Sequence, residues 1–256
     1  MKAFIAFTRK ELLEQIRSGK LLIMGALFLA LGIMNPAVAK LTPWLLKLFA
    51  DSLAGSGITV TEATVSAIDS WAQFFKNIPI GLIAFALLQS SVLTKEVSSG
   101  ALILSLTKGL QRYKAVVSKS AVLCALWTIG YFMCFGVTYA YNSYFWDNSV
   151  AHSLGTAIVC WWLFGMLVIS FMILFSVLSL SATGVLLGTG GVVLVFYLVG
   201  LMPRIGKYLP TKLMDGGTLI YGIAKPSDYY AVIIIASALV LACFNASIPI
   251  FNKKQL

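Results

Sequence analysis

Charge is what this sequence has least of. Asp, Glu, Lys and Arg make up 11% of its 256 residues, against roughly 25% in an ordinary globular domain. Hydrophobic residues make up 59%, which places the chain among polytopic membrane proteins. Its one histidine, His152, excludes a histidine-based metal cluster. The four cysteines, Cys124, Cys134, Cys160 and Cys243, all lie inside apolar runs without C-x-x-C spacing. They read as buried packing residues rather than a disulfide framework or zinc site.

Chemistry is missing too. A nucleotide-binding P-loop needs Gly, four residues, then Gly-Lys-Ser/Thr. The nearest text, Ser18-Gly19-Lys20-Leu21, has Glu14 where the first glycine belongs and no final hydroxyl. H-E-x-x-H, G-x-S-x-G and a carboxylate pair inside an apolar run are all absent. No intramembrane enzyme is legible, and this chain does not hydrolyse ATP through a P-loop. The net charge of +10 would suggest nucleic acid in a soluble protein. Here the basic residues flank apolar runs, as membrane topology demands, and no nucleic-acid partner is expected.

What remains is apolar and segmented. Six runs, at about 21–39, 77–93, 121–141, 155–180, 184–202 and 229–251, approach or exceed the ~20 residues that cross a ~30 Å hydrocarbon core. With the N-terminus cytoplasmic, twelve Lys and Arg fall in inside segments and seven in outside ones, so both termini are expected inside. None of the runs carries an acidic or basic residue near its middle. Ion-coupled transporters commonly place one there, although backbone carbonyls can also coordinate Na⁺. Energy is therefore expected to enter from another chain.

Residues 1–20 read as an amphipathic interfacial helix. Ile5, Thr8, Leu12 and Ile16, extended by Phe4, form a stripe opposite Lys2, Arg9, Lys10, Arg17 and Lys20, with Glu11 and Glu14 among the cations. The competing reading is an ordinary basic flank of the first span. Ala37-Val38-Ala39 mimics a signal-peptidase site, but the preceding 20 residues are too long, too periodic and too acidic for a signal n-region. Residues 40–76 form a long outer loop in which TPWLLKLFADSL has the pattern of a short amphipathic helix. Residues 203–228 carry Pro203, Pro210, Pro226 and Gly216-Gly217, too broken for one helix.

The connection from Thr94 to Ser120 is the most informative stretch. It holds Lys95, Lys108, Arg112, Lys114 and Lys119 against one acid, Glu96. On a wheel Val97, Ala101 and Leu104 share one side and Leu102 and Leu106 the other. A helix apolar on two sides and outside the bilayer wants two surfaces to bury against. Elsewhere, Gly184 and Gly188 form a GxxxG that suits either intramolecular packing or a dimer seam. Asn35, Gln89 and Asn245 are polar groups in apolar runs, either interhelical hydrogen bonders or pathway groups. Arg204, Lys207, Lys212 and Lys225 suit a solvated loop, outer headgroups or an anionic substrate.

This order of elements resembles the ABC-2 type permease family. The sharpest match is the connection itself, where Glu96, Gly100, Leu102, Leu106, Gly109-Leu110-Gln111-Arg112 and Lys119 look like the family's Glu-x-x-x-Gly, leucine-rich turn, Pro-hydrophobic-Ser-Arg and later Lys. Gly109 replaces the proline and Gln111 the serine, which keeps a helix break followed by a basic residue. The likeness covers the whole chain in layout and residues 94–119 in motif.

The resemblance implies an all-α, six-span, single type V exporter-like transmembrane domain over residues 1–256, with spans 1 and 2 and their outer loop in 21–93, a coupling loop in 94–120 and spans 3–6 in 121–256. It implies a multi-pass subunit of a bacterial cell membrane that pairs with a second permease copy, contacts membrane lipids and binds separately encoded ABC ATPases. ATP and Mg would then be handled by those partners, with no cofactor on this chain. Glu96, Ser99, Gly100, Arg112 and Lys119 carry over as ATPase-coupling positions. Asn35, Phe85, Gln89, Gly184 and Gly188 carry over as pathway-lining candidates, and the broken segment before the last span as a re-entrant outer lid. The apolar spans suit amphipathic or hydrophobic cargo, peptide or lipid-like. The alternative function is a sensor or resistance subunit that recruits an ABC ATPase against membrane-active peptides without net export.

Overall fold

The structure, a computed structural model, describes residues 2–48, 64–107, 109, 111–179 and 181–253. Among these the chain is all helical. In order come α1 (Lys2–Arg17), α2 (Lys20–Leu48), α3 (Ala67–Gln89), α4 (Thr94–Ser98), α5 (Ala101–Thr107), α6 (Arg112–Phe145), α7 (Leu154–Leu178), α8 (Ala182–Gly200), α9 (Pro203–Gly206), α10 (Gly216–Ile220) and α11 (Tyr230–Lys253). Short 3₁₀ turns occupy Asn148–Val150, Pro210–Met214 and Pro226–Tyr229. Six of the helices, α2, α3, α6, α7, α8 and α11, are long and apolar enough to cross a membrane, consistent with a multi-pass membrane protein.

Helix bounds differ from the apolar runs at the polar ends. The first span continues to Leu48, absorbing the start of the expected outer amphipathic helix; the rest of that stretch lies outside the described residues. The second begins ten residues before its apolar run. Ser66 and Asp69 start it with a capping box, in which the Ser66 N–H donates to Asp69 Oδ2 at 2.8 Å. The third starts at Arg112 and reaches Phe145.

The proline in the first span explains a polar cluster. Pro36 has no N–H, so the carbonyl four residues earlier, that of Gly32, loses its helical donor. Thr138 Oγ1 of α6 donates to that carbonyl at 3.0 Å. Thr138 in turn accepts from Asn35 Nδ2 at 3.1 Å, and Asn77 Nδ2 of α3 donates to Asn35 Oδ1 at 3.0 Å. Three helices are thereby tied where an apolar environment would otherwise hold an orphan carbonyl.

The core is aromatic. Phe28, Phe74, Phe85, Trp127 and Tyr131 are fully buried. Trp127 meets Phe28 and Phe85 edge-on at centroid distances of 5.9 and 5.8 Å, and Phe74 meets Tyr131 at 5.9 Å. Buried hydroxyl and indole groups find carbonyls: Tyr131 Oη donates to Ile158 O at 2.8 Å and Trp127 Nε1 to Trp162 O at 3.2 Å. A Cβ at Gly165 would stand 2.2 Å from the Trp127 ring, so only glycine lets α7 approach this ring. Of its apolar window, α7 buries 72% and α8 only 11%. Thus α7 is the hub and α8 lies on the rim.

Candidate functional site

At the end of the bundle where α11 finishes, α1 turns into α2 through Gly19, whose φ of +72° is the left-handed conformation glycine tolerates. The turn lays α1 against the α3–α6 connection. Phe7, Glu11 and Gln15, spaced four residues apart, are buried there. Ile5, Leu12 and Ile16 are 65%, 43% and 57% exposed. The expected apolar stripe therefore points away from the protein, and the buried face carries a carboxylate and an amide.

Those polar groups are matched one by one. Lys119 of α6 donates to Glu11 Oε2 at 2.7 Å and to Val92 O at 3.1 Å. It also lies 2.9 Å from Glu96 Oε2 as an ion pair without hydrogen-bond alignment. Lys10 pairs with Glu96 Oε1, with Glu11 at 3.2 Å and with Glu14 at 3.3 Å. Three carboxylates and two ammonium groups thus occupy one junction. Nearby, Gln15 and Gln89 exchange amide hydrogen bonds at 3.1 and 3.0 Å, and the Thr8 and Ser118 hydroxyls lie 2.8 Å apart.

Charge pairing overrides burial at this junction. Burial works to raise the Glu96 pKa, but Lys119 beside it and the hydrogen bond from Lys10 bring it below its ordinary 4.5. Burial likewise works to lower Lys10, but the Glu96 hydrogen bond and the charges of Glu11 and Glu96 raise it above 10.5.

The expected coupling residues divide into two groups. Glu96 and Lys119 are 6% and 4% exposed and face inward, so they hold the connection to the bundle. Ser99 is exposed beside Gly100, whose φ of +70° separates α4 from α5. The connection is therefore two short helices with a break, and Leu102 is fully buried while Ala101 is exposed. The Leu104 side chain and Lys108 lie outside the described residues. Arg112 sits apart from the cluster, where its Nη1 donates to Asn252 O at 3.2 Å, joining α6 to the end of α11. The sequence reading missed Lys10, Glu11 and Gln15 as partners. Two acids in a basic helix and one acid in a basic loop were the signal available.

The lining candidates are all engaged inside the chain. Asn35 sits in the Pro36 cluster, Phe85 in the aromatic core and Gln89 against Gln15. A Cβ at Gly184 would stand 2.2 Å from Ser179 Oγ, and one at Gly188 2.4 Å from the Phe175 ring. The GxxxG therefore seats α8 on the end of α7. A Cβ at Gly190 or Gly191 would meet nothing within 4 Å; Gly190 borders a cavity beside α3, and Gly191 lies on the open side. Asn245 bonds its own helix, to Leu241 O at 2.8 Å.

On α3, Leu82, Ile83, Ala86 and Leu87 line a cavity of about 280 Å³ shared with α7 and α8. No protein-family model matches the chain, and no curated protein does.

Proposed function

We propose that this chain is the permease subunit of an ATP-driven ABC exporter of the ABC-2, type V exporter-like kind. The observation that carries the reading is the five-residue ionic junction. It makes α1, the α4–α5 connection and the start of α6 one mechanical unit at the end of the bundle where α11 finishes. A permease without a P-loop needs such a unit, because force from a partner ATPase has to reach the spans through a connection that does not slip. Ser99, Gly100 and the exposed side of α5 are the contact with the ATPase. Glu96 and Lys119 transmit from it.

Two copies pair through the open face of α8, where Leu187, Leu194 and Leu198 are exposed and Gly191 leaves room for close approach. The short helices between α8 and α11 form the outer lid, and both termini are cytoplasmic. Leu12 and Ile16 rest α1 at the headgroup boundary. Cargo is amphipathic or hydrophobic and moves along the α3–α8 side of each protomer.

Reconstitution with the cognate ATPase in proteoliposomes tests the reading. ATP-dependent, vectorial movement of an amphipathic probe is expected. Ligand-dependent ATPase activity without flux would instead make the chain a sensor, and no ATPase stimulation at all would refute both.

A further inference from the structure

The cavity between α3, α7 and α8 has a chemistry that names its occupant more closely. Leu82, Ile83 and Ala86 form one wall, Phe164 and Val168 another, and Val193 a third. Thr189, 4% exposed, also lines this apolar space, and its buried Oγ1 has no hydrogen-bond partner among the described residues. A helical threonine ordinarily bonds the carbonyl one turn back. A bare hydroxyl in an apolar cleft is costly unless something polar meets it. At about 280 Å³ the cleft exceeds the ~150 Å³ apolar cavity that takes up a benzene ring.

Met214 connects this cleft to a second space. It lines the cleft and also a depression of about 530 Å³ at the end of the bundle away from α1. Its carbonyl is fixed by Trp161 Nε1 at 2.7 Å. The depression is bordered by Lys207, Lys212, Thr211 and Asp215. The Lys207 ammonium lies 4.9 Å from the Tyr208 ring centroid, and Lys212 donates to Asp228 O at 2.9 Å and lies 4.8 Å from the Tyr229 ring. Asp215 is occupied locally, accepting from the Thr218 N–H at 3.4 Å to cap α10. An apolar slot and a mouth with two cations and one acid thus lie on either side of one methionine.

We propose that cleft and mouth together hold a single-chain amphiphile with an anionic head. Its alkyl chain lies against α3 and α7, and its acidic group reaches Lys207 and Lys212. A polar atom near the chain's head end meets Thr189. The cations select against quaternary ammonium and zwitterionic heads, and the slot's width selects one chain over two. The site stands on this geometry alone; only its role as the loading position for export rests on the function proposed above.

The full-length chain in phosphatidylcholine nanodiscs, photolabelled with a diazirine fatty acid, tests this. Label is expected on the peptides carrying 82–87 and 186–193. Lysophosphatidylglycerol or unlabelled fatty acid should compete it away, and lysophosphatidylcholine should not. Whichever anionic competitor acts at the lower concentration separates a carboxylate from a phosphate head.

Ala86→Phe and Gly190→Leu fill the cleft from opposite walls, the latter where a Cβ meets nothing within 4 Å. Both should abolish the label. Lys207→Glu should raise the competing concentration about fivefold, as loss of one exposed ion pair allows. Label spread evenly over exposed positions such as Ile129 and Ile234, equal competition by lysophosphatidylcholine, competition by a hydrophobic peptide alone, or label surviving both filling variants would overturn the site. No ATPase is present, so a negative result leaves the exporter reading standing. A chain that labels as expected but stimulates no ATPase would sink that reading and keep the site.

Discussion

Lys119 donates to Glu11 Oε2 across 2.7 Å although 108 positions separate them in the chain. Both are almost wholly buried, with side chains 4% and 3% exposed. That contact fixes the first helix to the third span, and Glu96 joins it from the connection between the second and third spans. The docking of α1 is therefore an electrostatic fact as much as an apolar one.

Breaking one member of such a buried group leaves an uncompensated charge, which costs about 3–5 kcal/mol. Lys119→Met should lower stability by that order, read as the free energy of reversible unfolding in mixed micelles. Combining it with Glu11→Gln should recover part of the loss, because the orphaned carboxylate is then neutral. Equal losses in the single and double variants would show that Lys119 acts through packing alone.

The pH dependence of α1 docking follows from two opposite shifts. Glu96 is lowered, so its contribution is complete above its ordinary 4.5 and is lost as pH falls through the lowered value. Lys10 is raised, so its contribution is complete below 10.5 and is lost as pH rises through the raised value. Lys10 is nearly half exposed, so solvent screens its share. Hydrogen exchange of α1 should be slow and flat between about pH 5 and 10 once corrected for intrinsic rates. It should accelerate on the acid side first. A transition centred near neutrality would not fit this junction.

Asn35 gives a test of packing against pathway. Its amide links Thr138 and Asn77, and Thr138 supplies the donor that Pro36 removes from Gly32. Asn35→Ala should cost about 1–3 kcal/mol through unsatisfied buried groups, without altering which cargo is moved. Pro36→Ala should soften that loss, since it returns an N–H to the helix. A changed cargo preference at unchanged stability would make Asn35 a lining residue.

Gly165 tests the hub. Gly165→Ala brings a methyl into the Trp127 ring, and overpacking of this kind costs about 1–3 kcal/mol. The melting temperature should fall, and Trp127→Phe in the same chain should restore part of it. An unchanged melting temperature would mean that α7 and α6 can separate freely.

The six spans were legible because length and hydropathy act on each run by itself. Their polar ends were not. Residues 67–76 join the second span because Ser66 and Asp69 cap it, and Arg112–Ser120 join the third because Lys119 has buried carboxylates to meet. The motif around Glu96 singled out this connection, but not which of its side chains face inward. That depends on Lys10, Glu11 and Lys119 converging from elements far apart in sequence. Periodicity drew an apolar stripe on α1, yet could not show that Phe7, Glu11 and Gln15 form the face against the protein. On α3 the candidates Phe85 and Gln89 share a helix with the cleft residues Leu82, Ile83 and Ala86. A single run apolar on all sides carries no sign of which face is core.

The central claim is that the α4–α5 connection docks a separate ABC ATPase. Affinity purification of the tagged full-length chain from its own membranes, with bound proteins identified by their P-loop sequences, tests it most directly. The native chain should bring down an ABC-type ATPase. Ser99→Trp, at the exposed break, should lose it while keeping the fold and the α1 junction. Recovery of no P-loop protein by the native chain, or undiminished recovery by the Ser99→Trp variant, would contradict the account.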